Sequence, residues 1–253
     1  MLIVAEVGVP LVLIALWWIV STGSTNIFFP PLQKILIRLW QLTQTSEFLI
    51  DIGSSLANLV ASFVIASFLG VLLGLVLGTM RFLSWLLEPA IHFFRAIPPV
   101  ALVPIFVSLL GFGNETRILA ITVAALFPVL ISTIDGVRAN DETLDMVSKV
   151  YRLTWSERLF QVTLPAAAPR ILSGMQVSLI AAFVVMIASE MLGSSTGLGA
   201  KTLLAQQTFA IADMWAGIIL LGIFGYLATF LFDLFRRRIL RWYIAAQQQE
   251  RQL

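Results

Sequence analysis

Charged residues are absent from six long stretches of the chain. The stretches without Lys, Arg, Asp or Glu are 7–33, 52–80, 96–114, 118–134, 171–189 and 214–232. An α-helix rises about 1.5 Å per residue, so a hydrocarbon core about 30 Å thick needs roughly 20 apolar residues. Backbone groups in lipid must find their hydrogen-bond partners within their own segment, which favours helices over strands. The pattern predicts an all-α integral membrane protein with six transmembrane helices.

The first two stretches exceed a single span and are trimmed at turn residues. The predicted spans are 7–22, 56–78, 93–112, 118–134, 171–192 and 214–233, within a single transmembrane domain over 1–253. A short amphipathic helix is predicted after Pro30-Pro31, in the linker between the first two spans. In the second span, Gly70, Gly74 and Gly78 recur every four residues on one helix face, which is typical of close helix packing.

Composition supports the membrane assignment and excludes several kinds of site. Of the 253 residues, 59% are hydrophobic and 12% are charged, whereas a soluble domain carries roughly 25% charged residues. Mean hydropathy is +0.95. The chain has no cysteine and one histidine, so thiolate chemistry, disulfides and multi-histidine metal centres are excluded. We predict no catalytic residue and no metal site.

The distribution of basic residues predicts the orientation, because cytoplasmic loops are enriched in Lys and Arg. With six spans and a cytoplasmic C-terminus, the N-terminus is cytoplasmic too. The predicted outer side then holds four basic residues: Lys34, Arg38, Arg117 and Lys201. The predicted cytoplasmic side holds eleven: Arg81, Arg138, Lys149, Arg152, Arg158, Arg170, Arg236, Arg237, Arg238, Arg241 and Arg251. Arg95 lies at a boundary.

One long polar loop interrupts the apolar pattern between the fourth and fifth spans. Residues 135–170 hold ten charged residues in 36 positions, with the loop itself predicted over 138–168. Apolar residues recur at helical spacing from Leu144 to Val162, which predicts a short amphipathic helical hairpin. Pro165 and Pro169 are expected to interrupt it before the fifth span. Periodicity leaves three locations open: a partner's groove, the membrane surface, or the chain's own bundle.

The hairpin resembles the EAA loop of ABC importer permeases. That pattern reads Glu-Ala-Ala, three residues, Gly, nine residues, Ile, one residue, Leu-Pro. Aligned on Leu164-Pro165, it places residues 146–148 (Met-Val-Ser) at Glu-Ala-Ala, Arg152 at the glycine and Val162 at the isoleucine. The glycine of such a turn often needs φ > 0. Since Arg adopts that conformation only at a cost, the turn is expected to differ here.

Two further motifs narrow the resemblance. The stretch 95–106, Arg-Ala-Ile-Pro-Pro-Val-Ala-Leu-Val-Pro-Ile-Phe, is followed by Gly111-Phe112-Gly113. Residues 189–193 with Gly197-Leu198-Gly199 form the second motif. Both are similar to motifs of ABC importer permeases for nitrate, sulfonate, taurine and bicarbonate, and the similarity extends from about residue 56 to 242.

The resemblance implies partners and roles. The chain would be the inner-membrane permease of a bacterial importer, present as a homodimer with two ATPase subunits, an extracytoplasmic substrate-binding protein and no nucleic acid. It contains no Gly-rich phosphate loop, so ATP and Mg²⁺ would be bound by the ATPase and no cofactor by this chain. The implied ATPase-coupling residues are Met146, Val147, Ser148, Tyr151, Arg152, Leu153, Thr154, Trp155, Arg158, Leu164 and Pro165, of which Tyr151, Leu153 and Trp155 would be the anchors.

Candidates for the translocation pathway come from polar residues and helix breaks at membrane depth. They are Arg95, Pro98, Pro99, Ser178, Ser189 and Glu190. Arg95 beside the Pro98-Pro99 break could attract an anion, in keeping with a small anionic solute. Each candidate also has a structural alternative, since membrane serines often join helices and charges often lie at helix ends.

Two other functions fit a six-span protein. An ion-coupled secondary carrier would commonly show internal repeats and mid-span carboxylates, and neither is evident. An intramembrane serine protease needs a serine nucleophile with a histidine base. Here residues 193–197 (Gly-Ser-Ser-Thr-Gly) match such a motif loosely, and the sole histidine, His92, precedes them.

Overall fold

The computed structural model describes residues 2–139, 142–243 and 245, without the side chains of 2–7, 142, 143 and 145. In this described part of the chain, all the regular secondary structure is helical. The helices are α1 (Leu2–Ser21), α2 (Leu32–Thr43), α3 (Ser46–Thr79), α4 (Arg81–Ala96), α5 (Pro99–Leu110), α6 (Asn114–Arg138), α7 (Glu142–Val150), α8 (Trp155–Gly193), α9 (Leu198–Gln207) and α10 (Ile211–Ile239). The all-α prediction is confirmed.

Four of these helices are long and apolar enough to cross a membrane, namely α3, α6, α8 and α10. The pair α4 and α5 passes the same test together, but it bends by 90° at its break. In α1, the segment Gly8–Ser21 is apolar but shorter than a full span. The described residues therefore give four spans, or five if the bent pair counts as one, and the total of six stays a prediction.

Three helices differ in extent from the spans predicted on them, each for a physical reason, and the span limits themselves stay predictions. The helix that holds the second predicted span begins at Ser46 rather than 56, because its polar residues Asp51 and Ser55 are buried and hydrogen-bonded inside the protein. The third predicted span, 93–112, is not one straight helix. Ile97 and Pro98 are extended, as expected of a residue before proline and of a proline that cannot continue the helix. The helix that holds the fifth predicted span, 171–192, is longer, because it begins at Trp155.

The predicted amphipathic helix after Pro30-Pro31 is confirmed as α2, and it is fastened to α10. The Arg38 guanidinium donates from Nε to Asp213 Oδ1 at 2.5 Å and from an Nη to Oδ2 at 2.8 Å. These hydrogen bonds raise the pKa of Arg38. Nearby, the Trp215 indole N–H donates to the Phe28 carbonyl at 3.1 Å. The linker between α1 and α3 therefore packs against the start of α10.

The centre of the bundle is α6, which packs against α3 on one side and α8 on the other. The glycine row of α3 faces Val129, Thr133 and Val137 of α6, so the predicted close packing is confirmed. A Cβ added at Gly74 would lie 2.5 Å from Thr133 Cβ. Only glycine allows the two backbones to approach this closely.

Candidate functional site

The polar hairpin, residues 142–165, joins the end of α6 to α8, and its tip is a Schellman turn. Two backbone hydrogen bonds close this turn: Leu153 N donates to Ser148 O at 3.0 Å, and Arg152 N donates to Lys149 O at 3.1 Å. This is the six-to-one and five-to-two pattern that ends many helices, with one residue in the left-handed conformation. The left-handed residue is Arg152, with φ of +52°.

The expectation that Arg152 would change the turn was wrong. Arginine takes the position and the conformation that glycine has in the family motif, because the two backbone hydrogen bonds hold the turn closed. For a residue with a Cβ, the left-handed conformation costs about 1–2 kcal/mol. The hairpin therefore contains a locally unfavourable residue at its tip.

A capping box begins the second arm of the hairpin directly after the turn. Thr154 Oγ1 accepts from Glu157 N at 3.4 Å, and a Glu157 carboxylate oxygen accepts from Thr154 N at 2.8 Å. Such reciprocal bonds satisfy backbone N–H groups that a helix start leaves free. The capping role of Glu157 was not predicted, although a threonine followed three residues later by glutamate is a readable signal. The two arms of the hairpin thus meet in a defined turn.

Large apolar side chains are exposed at the tip of the hairpin. Val150, Tyr151 and Trp155 are 79%, 75% and 73% exposed. This excludes burial of the hairpin tip against its own bundle. Of the predicted coupling residues, seven are exposed: Met146, Val147, Tyr151, Arg152, Thr154, Trp155 and Arg158. Leu153, Leu164 and Pro165 are half-buried and Ser148 is buried, so these four contribute less to the exposed surface.

The second arm continues into α8 without a break, so the predicted interruption at Pro165 and Pro169 was wrong. One turn, Arg158–Thr163, is a π-helix, and the α-helical conformation then continues past both prolines, which donate no backbone hydrogen bond themselves. A π-turn is wider than an α-turn and is a common way to absorb local disruption of the hydrogen-bond ladder. The result is a single helix of 39 residues from Trp155 to Gly193.

A cavity of about 380 Å³ lies beside the bend between α4 and α5. Arg95 and Pro99 border it, with Pro128 and Ser132 of α6 and Val177 of α8 on the other walls. Of the pathway candidates, the structure thus brings Arg95 and Pro99 together at one cavity. Pro98 forms the bend itself.

The other three pathway candidates lie inside the helix packing. Ser178 is fully buried and donates to the Ala125 carbonyl of α6 at 2.6 Å. Ser189 is buried and donates within α8 to the Met186 carbonyl. Glu190 is fully buried as well. These positions favour the structural alternative over a role in lining a pathway.

Glu190 belongs to a buried polar network at the end of the bundle opposite the hairpin. Its carboxylate accepts from Ser55 Oγ at 2.6 Å and from Gly199 N at 2.9 Å. Asp51 accepts from Gly197 N at 2.7 Å. Both acidic side chains thus bind N–H groups at the start of α9, which the dipole of that helix favours.

The glycine motif at 197–199 has a steric reason in this network. Gly197 has φ of +108°, and a Cβ there would lie 2.5 Å from Cδ of Glu190. The motif was noted in the sequence, but its partners Asp51 and Ser55 were missed, because they lie about 140 positions away along the chain.

The protease alternative is inconsistent with the geometry. His92 lies on α4, half-exposed, with its Nε2 3.7 Å from Glu88 of the same helix. Ser194 lies at the opposite end of the bundle, where its hydroxyl donates to the Thr196 carbonyl at 2.6 Å. In the described part of the chain, no three His, Asp or Glu side chains are placed to hold a metal ion.

Comparison with known proteins decides the family. Residues 66–243 match the family described as the binding-protein-dependent transport system inner membrane component. The chain belongs to this family. SsuC of Bacillus subtilis (strain 168), named as an aliphatic sulfonates transport permease protein, is 30% identical over 92% of this chain and 85% of its own length. TauC of Escherichia coli (strain K12), a taurine transport system permease protein, is 26% identical over 94% of this chain and 89% of its own length.

Other relatives are permeases named for nitrate import and bicarbonate transport. A solved structure of the MetNI methionine ABC transporter superimposes with a TM-score of 0.66 at 20% identity, covering 76% of this chain and 95% of the MetNI chain. That likeness confirms the importer permease fold. The protein is therefore a multi-pass ABC transporter permease, a transport component rather than an ion-coupled carrier or a protease. Members of this family work with ATPase and substrate-binding partners.

Proposed function

We propose that this permease, as a homodimer, forms the translocation pathway of a bacterial inner-membrane importer for a small anionic solute. Two copies of a partner ATPase drive it through the polar hairpin, and ATP and Mg²⁺ are bound by that ATPase. The observation that carries the proposal is the hairpin itself: an exposed apolar tip, closed by defined turns and continuous with a 39-residue helix.

The exposed tip has the features of a docking surface. Tyr151 and Trp155 are large and exposed, one directly before Arg152 and the other three residues after it, and aromatic residues and Arg dominate binding energy at protein interfaces. A groove on the ATPase that covers these side chains would hold the hairpin firmly. The half-buried Leu153 keeps the turn in shape rather than acting as an outer anchor.

Movement of the hairpin would pass directly to the pathway. A helix is a stiff element, and α8 connects the hairpin to Val177 at the cavity wall. When two ATPases close on ATP, they would draw two hairpins together and tilt both copies of α8. Such rigid-body switching between two packed arrangements is a common basis of alternating access.

The basic residues support a cytoplasmic hairpin and cytoplasmic termini. Arg236, Arg237 and Arg238 form a run at the end of α10, and the hairpin also carries Lys149, Arg152 and Arg158. Basic residues concentrate on the cytoplasmic side of membrane proteins. The opposite end, with α9 and the Glu190 network, would then face the substrate-binding protein.

The anionic solute is supported by two observations. Relatives named for sulfonate, nitrate and bicarbonate transport carry anions. In this chain, Arg95 borders the cavity between α5, α6 and α8, and a cation at membrane depth attracts an anion. A second copy of the permease would close the pathway on the exposed side of the short α5.

The coupling assignment is tested by assembly with the ATPase. The double variant Tyr151→Asp/Trp155→Asp should lose the co-purifying ATPase while the permease keeps its melting temperature, because both side chains are exposed in the free chain. Phe209→Asp is the matched control, since Phe209 is also an exposed aromatic but lies at the opposite end. Wild-type recovery of the ATPase by the double variant would refute the assignment.

The solute path is tested at Arg95. In proteoliposomes containing the whole transporter, Arg95→Gln should lower uptake of the anionic solute more than Arg95→Lys, which keeps the charge. Basal ATP hydrolysis should change little in either variant. Equal uptake by wild type and Arg95→Gln would remove Arg95 from the pathway.

A further inference from the structure

Two non-glycine residues in the described part of the chain have positive φ, and both end a helix. Arg152 has φ of +52° at the end of α7, and Phe209 has φ of +56° at the end of α9. Phe209 closes the same kind of turn: its N–H donates to Gln206 O at 3.1 Å, and Ala210 N donates to Ala205 O at 2.8 Å. Glycine would fit either position without strain. The two turns are therefore a matched pair at opposite ends of the protein.

In the part of the chain that the structure describes, the Arg152 side chain makes no hydrogen bond or ion pair that would add to the two backbone bonds of its turn. It is exposed, and among the described residues its guanidinium has no hydrogen-bond or ion-pair partner. Strained backbone conformations that the surrounding structure maintains often mark functional positions. The guanidinium is therefore available to a partner.

The surroundings of Arg152 indicate where its partner lies. Its neighbour Tyr151 is exposed, and Trp155 is exposed in the next turn. These are the side chains that the proposed function places in the ATPase groove. A guanidinium at the tip between them would enter the same groove, where it would be at least partly removed from water.

The charge of the tip also differs from that of the family motif. Met146 occupies the position of the motif's glutamate, and Arg152 occupies the position of its glycine. At these two aligned positions one negative charge is lost and one positive charge is gained, while Asp145 directly precedes Met146. A groove that accepts this hairpin must be complementary to a more positive surface, and arginine binds carboxylates through two parallel hydrogen bonds.

We propose that Arg152 forms an ion pair with a carboxylate in the hairpin groove of this transporter's own ATPase, and that this pair makes the permease selective for that ATPase. The inference rests on the proposed coupling function of the hairpin. It adds that the contact on the partner is an acidic side chain. It also adds that this contact makes binding specific for one ATPase over others. Like-charged or neutral grooves would be disfavoured.

The test measures ATPase binding to the permease in nanodiscs of phosphatidylcholine, with the co-expressed ATPase as the probe. Arg152→Gly should weaken binding by about tenfold and reduce its dependence on salt, as expected for loss of an interfacial charge pair. Arg152→Lys should retain part of the affinity, because it keeps the charge but not the two-pronged geometry. Arg152→Glu should bind more weakly than Arg152→Gly.

Phe209→Gly is the matched control. It removes the same unfavourable positive φ of a non-glycine residue, but at the other end of the protein. It should therefore leave ATPase binding unchanged. Wild-type binding by Arg152→Gly, or equal weakening by both glycine variants, would overturn the proposal. A defect of Arg152→Gly that appears only in phosphatidylglycerol nanodiscs would also overturn it, because the partner would then be a lipid headgroup.

The outcome is separable from failure of the proposed function. If the Tyr151→Asp/Trp155→Asp variant still binds the ATPase, the hairpin is not the coupling element and both ideas fail. If that variant loses binding while Arg152→Gly binds as wild type does, the coupling function stands and only the ion pair is refuted.

Discussion

Packing between α3 and α6 should make Gly74 intolerant of a single added methyl group. A Cβ at Gly74 would lie 2.5 Å from Thr133 Cβ, 2.7 Å from Thr133 Cγ2 and 3.0 Å from the Leu130 carbonyl oxygen. Ordinary carbon contacts lie near 3.5–4.0 Å, so the helices must separate by roughly 1 Å. None of these atoms is the end of a flexible side chain. Overpacking of this kind costs about 1–3 kcal/mol.

Gly53 provides a control within the same helix. It lies in α3, and a Cβ added there would meet nothing within 4 Å. Alanine in place of glycine in an open helix position stabilises by about 0.5–1 kcal/mol. Gly53→Ala and Gly74→Ala should therefore shift stability in opposite directions, although the chemical change is identical.

The measurement is thermal unfolding of the detergent-solubilised permease, followed by the fluorescence of its seven tryptophans. For a chain of this size, 1 kcal/mol corresponds to roughly 2–4 °C in Tm. Gly74→Ala should melt several degrees below wild type, and Gly53→Ala at or slightly above it. Equal shifts in the two variants would refute the argument that close approach of α3 and α6 requires glycine.

Three other contacts give further predictions. Thr154→Ala removes the cap shared with Glu157 and should cost about 1 kcal/mol, seen as faster amide exchange in the first turn of α8. Glu190→Ala leaves the Gly199 N–H without its acceptor, and a lost buried partner costs about 1–3 kcal/mol; amide exchange should rise at the start of α9 and stay unchanged in the hairpin. Arg38→Gln should cost no more than about 1 kcal/mol, because the pair is partly exposed, and the loss in Tm should shrink in high salt.

Helix positions and the glycine row could be predicted from the sequence because lipid imposes them. Long uncharged stretches favour helices in lipid, and small residues every four positions on a helix lie near one face. The row of Gly70, Gly74 and Gly78 thus marks the packed face of α3 in the sequence, and the structure identifies α6 as the helix packed against it. The amphipathic α2 could also be predicted, because the spacing of its apolar residues is visible within the helix itself.

Boundaries and buried polar contacts could not be predicted, because they depend on residues far along the chain. Asp51 and Ser55 belong inside α3 only because Gly197 and Leu198 bring N–H groups to them. Nothing near position 51 carries that information. In the hairpin, two backbone hydrogen bonds hold the turn around Arg152, although arginine disfavours a positive φ. The conformational preference of a single residue does not show that such bonds will form.

The continuity of α8 explains how a contact at the hairpin can reach the cavity. Its far end is held by Glu190, whose carboxylate binds the start of α9 and the hydroxyl of Ser55 on α3. A helix fixed at one end pivots when the other end is displaced. Val177 at the cavity wall is 13 residues from Glu190, whereas Trp155 at the hairpin is 35 residues away. Since the rise per residue is constant, the wall should move roughly a third as far as the hairpin. In the proposed coupling mechanism the buried network would supply the fixed end, because without one a pull on the hairpin would shift α8 along its axis rather than tilt it.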